Sequence, residues 1–298
     1  MANSDWVMIT AQHTAAKRPA YFPWFIGPAV VVAVVLGAAM AGLFQYAFRQ
    51  HVPGSLQVGD FTLENFGRMS NWVYLRVFVD TLLLAAYTAG ASLLLGYPLA
   101  LALVRTRSAS LKSVIMIATI IPLFTGDIVR TYSWLVMLGK NGFINGSLKW
   151  MGLIETPFEL LYTMFGVTLA LVQYSLPVMV IILAAAISHI NTDYEKAAAS
   201  LGAGSLAVLR YVTLPLSMPG ILSGTVTIFA WTLSAFATPQ LVGGGKVNMV
   251  SNMVYQLGFS NFDFPFAATL SLASLGLIFA ILGMLGAATR RLERAGLN

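Results

Sequence analysis

Six apolar stretches, each long enough to cross a lipid bilayer, divide this chain, and nearly all of its charges lie between them. A helical crossing takes roughly 20 residues. The stretches cover residues 22–48, 72–104, 113–138, 162–187, 220–236 and 266–289. Within hydrocarbon, backbone N–H and C=O groups must be satisfied inside the segment, so stretches of this length form helices. The expected fold is therefore all-α and integral to a membrane, with six transmembrane helices. Composition agrees: 58% of residues are hydrophobic and 9% charged, against about 25% charged in soluble domains. The fifth stretch is the weakest, because Thr225, Thr227, Thr232 and Ser234 dilute it. The first is expected to be a span. Its apolar run exceeds the ~7–15 residues of a cleavable signal, and no small-residue cleavage site closes it.

Lys and Arg set the expected orientation. With the N-terminus inside, Lys17, Arg18, Arg105, Arg107, Lys112, Lys196, Arg210, Arg290, Arg291 and Arg294 fall on the inner side, ten of the 17 basic residues. Arg49, Arg68, Arg76, Lys140, Lys149 and Lys246 fall outside, and Arg130 lies within the third stretch. The bias places both termini in the cytoplasm. It also accounts for the net charge of +6 without nucleic acid as a partner. Tyr21 with Trp24, and Trp72 with Tyr74, suit aromatic belts at the membrane boundary. The expected organisation is a cytoplasmic segment 1–21, a first span with its external loop at 22–75, a core at 76–289 and a cytoplasmic tail at 290–298.

Several chemistries are excluded. There is no cysteine, hence no disulfide framework and no thiolate metal site. The three histidines, His13, His51 and His189, cannot form HExxH, and no GxSxG occurs, so a protease or esterase would lack its metal or nucleophile. "GGGKVN" at 243–248 has Val247 where a phosphate-binding loop needs Ser or Thr, and it lacks the strand–loop–helix context.

One polar stretch carries more design than a solvated loop needs: "NTDYEKAAASLGAGSLAVLRYVTLPLSMPGI", residues 191–221. Thr192 and Glu195 have capping-box spacing, and Asp193 adds negative charge to the first turn, where the helix dipole favours it. Ala197, Ala198 and Ala199 favour helix and have almost no bulk. Gly202 and Gly204 end or bend that helix. A second helical run, "SLAVLRYV", leads to Leu214-Pro215, and Pro219-Gly220 opens the fifth span. A short, capped, small-faced helix suits a groove in another protein; a loop helix on the membrane surface is the plainer alternative.

This segment resembles the cytoplasmic signature loop of ABC importer permeases, with Ala197-Ala198, Gly202 and "VTLP" at 212–215 matching in spacing. Lys196 departs from it, standing where the family often has Glu, with Glu195 displaced by one. "FTLENF" at 61–66, "LLGYPLALALVRT" at 94–106, "IPLFTGDIVRTYSW" at 121–134, "LLYTMFGVTLALVQYSLPVMVIIL" at 160–183 and "LSAFATPQLVGGG" at 233–245 resemble spermidine/putrescine-type permease subunits. The resemblance implies a type I (MetI-like) permease fold in a bacterial inner membrane. It implies a second related permease, two cytoplasmic ATPase subunits and an external binding protein as partners, within the lipid bilayer. ATP and Mg would then belong to the ATPases, leaving this chain without a cofactor and not itself an enzyme. The solute would be a polyamine or a related small organic cation. The loop 191–215 would couple to the ATPase through Thr192, Glu195, Lys196, Ala197, Ala198, Gly202, Leu214 and Pro215. An ion-coupled secondary transporter acting alone is the alternative; it would call for inverted repeats and intramembrane acids, and the sequence offers no repeat and one deep acid, Asp127.

Ionisable groups within spans are costly and either functional or paired. Asp127 and Arg130, with Tyr132 nearby, are the leading pathway or gate candidates, and mutual neutralisation at three-residue spacing is the alternative. Counted from Ser113 on an unbroken helix, Asp127 would lie about 21 Å along the span, although Pro122 and Gly126 are positioned to break it. Gln173 and Tyr174 precede the kink candidate Pro177. Trp231 and Phe236 could cage an ammonium group; packing is the alternative for each. Asp80 is expected to pair with Arg76, and His189 to sit at the interface beside the polar segment.

Overall fold

In the computed structural model, which describes residues 22–55 and 57–294, the longest apolar stretches become single helices. The segment 1–21, with His13, Lys17, Arg18 and Tyr21, lies outside the described residues, as do residues 295–298 and the side chains of Trp24, Arg290, Arg291 and Arg294. The chain divides into two compact units after Gln45. Helix α1 (Phe22–Ala47) supplies the described part of the first unit.

The second unit begins with a departure from an all-α chain. Strands β1 (Arg49–His51) and β2 (Val58–Phe61) pair antiparallel. The short helix α2 (Glu64–Met69) follows, and its buried Asn65 donates to the carbonyls of Ala47 (3.1 Å) and Arg49 (2.8 Å). Residues expected to be a plain external connection are thus folded onto the core. Arg68 and His51 both approach the buried carboxylate of Asp263, at 3.0 and 3.7 Å.

Helix α3 (Trp72–Arg105) starts where the Asn71 side chain accepts the N–H of Val73. Trp72 is exposed, whereas Tyr74 packs edge-on against Phe266 at 4.7 Å. Arg76 and Asp80 pair at 3.9 Å, as their spacing suggests.

The third stretch does not form one helix. Helix α4 (Ala109–Ile120) passes through a 3-10 turn at Ile121–Phe124, and α5 (Asp127–Leu138) and α6 (Phe143–Trp150) then leave at 109° to it. Pro122 and Gly126 cause this, since proline has no N–H for the ladder and Gly126 serves as the extended N-cap of α5. The 21 Å expectation therefore fails: Asp127 opens a new helix rather than lying far along an old one.

Helix α7 (Met164–Ser188) is capped by Thr163 and keeps Pro177 inside it. Next come α8 (Thr192–Ser200), α9 (Ser205–Val208), a π-helical turn at Leu209–Thr213 and α10 (Leu214–Leu216). Helix α11 (Met218–Leu233) lies at 66° to the run before it. The chain closes with α12 (Ala237–Val242), α13 (Val250–Tyr255), a second π-helical turn at Gln256–Ser260 and α14 (Phe264–Arg294). Four helices among the described residues are long and apolar enough to cross a membrane, and the two bent pairs raise this to six.

Helices α3, α7 and α11 form the centre. Apolar solvent gives little drive for helices to associate, so close backbone approach through small residues supplies the packing. A methyl group at Gly96 would lie 2.9 Å from Met179 Cγ, and one at Gly224 would lie 2.8 Å from Met179 Sδ. A methyl at Gly220 would overlap Ala186 outright. Buried Ser92 and Ser175 hydrogen-bond between α3 and α7 at 2.7 Å, which removes two hydroxyls from an apolar surrounding.

Candidate functional site

Two constellations stand out, one at each end of the α7–α11 pair. The first is the polar stretch after α7. Asn191, not Thr192, is the N-cap of α8: its side chain accepts the Asp193 N–H at 2.9 Å. The expected capping box is therefore absent, because a one-residue shift in helix start frees Glu195 for another role. Its Oε1 accepts from Arg105 Nη2 (2.9 Å), Arg105 Nε (3.2 Å) and Thr213 Oγ1 (3.0 Å). Arg105 Nη2 also donates to the carbonyl of Ile190. One carboxylate thus ties α8 to the end of α3 and to the turn before α11.

Lys196 instead faces water and bonds Asp193 at 2.8 Å. That hydrogen bond, with the ammonium charge, holds the Asp193 carboxyl below its ordinary pKa. Helix α8 ends as the sequence suggests: Gly202 has φ of +88°, a left-handed conformation that favours glycine. His189 is the C-cap of α7, beside this segment. Several large apolar side chains here have little protein cover: Leu201 is 90% exposed, Leu206 78%, Tyr211 72% and Tyr194 61%. Arg105 and Thr213 are functional candidates that sequence reasoning passed over. Only a 90-residue separation closed by folding gives Arg105 its role.

The second constellation is a cavity of about 320 Å³ between α5, α7, the end of α11 and the start of α12. Asp127, Arg130, Tyr174, Trp231 and Phe236, five of the seven pathway candidates, line it together. Thr131, Ser234 and Thr238 join them and carry no sequence signal beyond polarity within an apolar run. Tyr132 points elsewhere and is 56% exposed. Gln173 is also outside the lining; its Oε1 accepts the indole N–H of Trp134 at 3.2 Å, fastening α5 to α7.

Arg130 is the dominant charge in this cavity. Its side chain is 11% exposed, while that of Asp127 is 65% exposed. The guanidinium sits 4.5 Å from the Tyr174 ring centre, donates to the Thr125 carbonyl, and reaches Asp127 Oδ1 only at 3.4 Å. Its buried Nε–H has no acceptor. The Tyr174 ring in turn meets Trp231 edge-on at 4.7 Å. At an effective dielectric of about 20, a unit charge roughly 5 Å from the guanidinium interacts with it by about 3 kcal/mol. Arg130 therefore weighs on any ion entering.

The "GGGKVN" stretch follows α12 as a turn, with Gly244 and Gly245 at φ of +53° and +77°, and a helix rather than a strand leads into it. No His/Asp/Glu group among the described residues is arranged to hold a metal.

Residues 92–294 match the family of binding-protein-dependent transport system inner membrane components, a match that encloses both constellations. The chain belongs to this family. It is thus a multi-pass inner-membrane permease rather than an enzyme. The permease is 32% identical over 213 residues to the spermidine/putrescine transport system permease protein PotB of Escherichia coli (strain K12), covering 71% of this chain and 77% of that protein. It is also 33% identical over 216 residues to the molybdenum transport system permease protein ModB of Mycobacterium bovis, covering 70% of this chain and 78% of that one. In fold, the permease matches a chain of the bacterial alginate ABC transporter, crystallised with an alginate pentasaccharide-bound periplasmic protein. The TM-score is 0.73 at 20% identity, over 91% of this chain and 95% of that one.

Proposed function

We propose that this permease works in an ATP-driven importer for a polyamine or a related small organic amine, delivered by an external binding protein. It pairs with a second related permease, and two ATPase subunits bind beneath them and hydrolyse ATP with Mg. Both termini and the 191–215 stretch then face the cytoplasm, in keeping with the distribution of Lys and Arg. ATPase closure moves α8, and the Glu195 link passes that motion to α3 and α11, which reorients the cavity. The amine reading draws on the likeness to PotB and on the aromatic lining of the cavity. The likeness to ModB, at similar identity, shows that relatedness at this level spans different solutes.

The observation that carries the proposal is the exposed apolar surface of residues 194–211 on an otherwise polar stretch. Apolar patches of this kind mark docking sites, and Leu201, at 90%, is the most exposed large apolar side chain among the described residues. Leu201→Asp is therefore expected to leave the permease folded in detergent while the ATPase subunits no longer co-purify with it. Co-purification at wild-type yield would overturn the proposal.

A further inference from the structure

The cavity between α5, α7, α11 and α12 is dipolar. It presents one cation and one anion three residues apart, and the two differ sharply in burial: Arg130 is 11% exposed and Asp127 65%. A guanidinium stays charged at any pH a cell meets. It therefore needs anionic or carbonyl partners on its N–H groups, and here the Thr125 carbonyl and a long 3.4 Å contact to Asp127 leave the Nε–H edge unused. The Nε–H is closed to solutes, but the guanidinium lines the cavity and can donate its other N–H groups to an anion that enters. In the same cavity the rings of Trp231 and Phe236 and the Asp127 carboxylate, which is in contact with Arg130 at 3.4 Å, offer what an ammonium group prefers.

A purely cationic diamine fits this arrangement poorly. One ammonium would meet Asp127, but the other would share the cavity with a fixed like charge and would leave the Arg130 guanidinium unanswered. A molecule with one ammonium and one carboxylate answers both ends. A volume of about 320 Å³ suits a small solute of this kind.

We infer that the solute handled in this cavity is an amino-carboxylate, its carboxylate received by Arg130 and its ammonium by Asp127 with the Trp231 and Phe236 rings. This rests on the proposed import function and, among its small organic amines, sets polyamines aside in favour of amines that also carry an acid. Arg130 and Asp127, in contact at 3.4 Å, then act together as the site's two poles, and the presence of both signs selects against solutes with a single sign of charge.

The test uses the assembled transporter in nanodiscs, without the binding protein, and three probes of matched length: 4-aminobutanoate, 1,4-diaminobutane and butanoate. The wild-type assembly is expected to bind 4-aminobutanoate about tenfold or more tighter than either single-sign probe, as loss of a charge-assisted hydrogen bond would give. Arg130→Gln is expected to weaken 4-aminobutanoate by about tenfold to a hundredfold and to leave 1,4-diaminobutane unchanged or tighter. Arg130→Lys, which keeps the charge but loses the planar fork, falls between. If the diamine binds the wild type as well as the amino acid does, or if no probe binds, the inference is overturned, whether or not the variants fold. ATP hydrolysis, measured after the binding protein is added to the same assembly, separates the two levels. Stimulation by the diamine would sink this inference alone, whereas an assembly without any ATPase partner would sink the import reading beneath it.

Discussion

The Glu195 link makes a specific mechanical prediction. Glu195→Gln keeps the shape of the side chain but removes the charge that accepts from Arg105 Nη2 and Nε and from Thr213 Oγ1. Hydrogen bonds to charged groups contribute about 1.5–3 kcal/mol each, but both partners keep about a fifth of their side-chain surface in water. With solvent screening, a loss of about 2 kcal/mol is the appropriate scale. At 1.4 kcal/mol per factor of ten, the fraction of molecules with α8 detached from α3 rises about thirtyfold. The assay is solute accumulated per ATP hydrolysed in proteoliposomes holding the complete transporter. This ratio is expected to fall severalfold in Glu195→Gln and in Arg105→Gln, and to recover in the reversed pair Glu195→Arg with Arg105→Glu. A wild-type ratio in the single variants would refute the reasoning. So would a reversed pair no better than the singles, since coupled residues show a non-additive energy.

Two further outcomes test the packing and the surface charges. Gly220→Ala forces a methyl into Ala186 at the α11–α7 contact, and overpacking of this kind costs about 1–3 kcal/mol; thermal unfolding in detergent should come several degrees earlier, and an unchanged midpoint would show the helices are free to part. The hydrogen bond and charge of Lys140, at 2.7 Å, hold the Glu159 carboxyl below its ordinary pKa. A depressed folded-state value makes the contribution present above the unfolded pKa and lost as pH falls through the folded one. Lys140→Met should return Glu159 to its ordinary titration by NMR, with little effect on stability because the pair is exposed.

The membrane architecture was legible because hydropathy acts locally: a run of apolar residues must be a helix in lipid wherever it ends up. Even the break before Asp127 could be read from Pro122 and Gly126. The angle of that break, 109°, could not, because it depends on what α4 and α5 pack against. Local signals also misled at α8. Thr192 and Glu195 have the spacing of a cap, yet Asn191 takes that place, and the Glu195 carboxylate accepts from Arg105 instead of its own backbone.

By itself, the sequence determined six apolar stretches, a small-faced helix after the fourth, its end or bend at Gly202 and Gly204, and a resemblance strong enough to point to the family. Those are properties of residue order and solvent. Only the tertiary structure decided which polar groups meet. It gathered Asp127, Arg130, Tyr174, Trp231 and Phe236 around one cavity and left Gln173 and Tyr132 outside it. It also brought Arg105 to Glu195 across 90 residues. Such pairings follow from how bent helices pack through glycine contacts, which no spacing along the chain encodes.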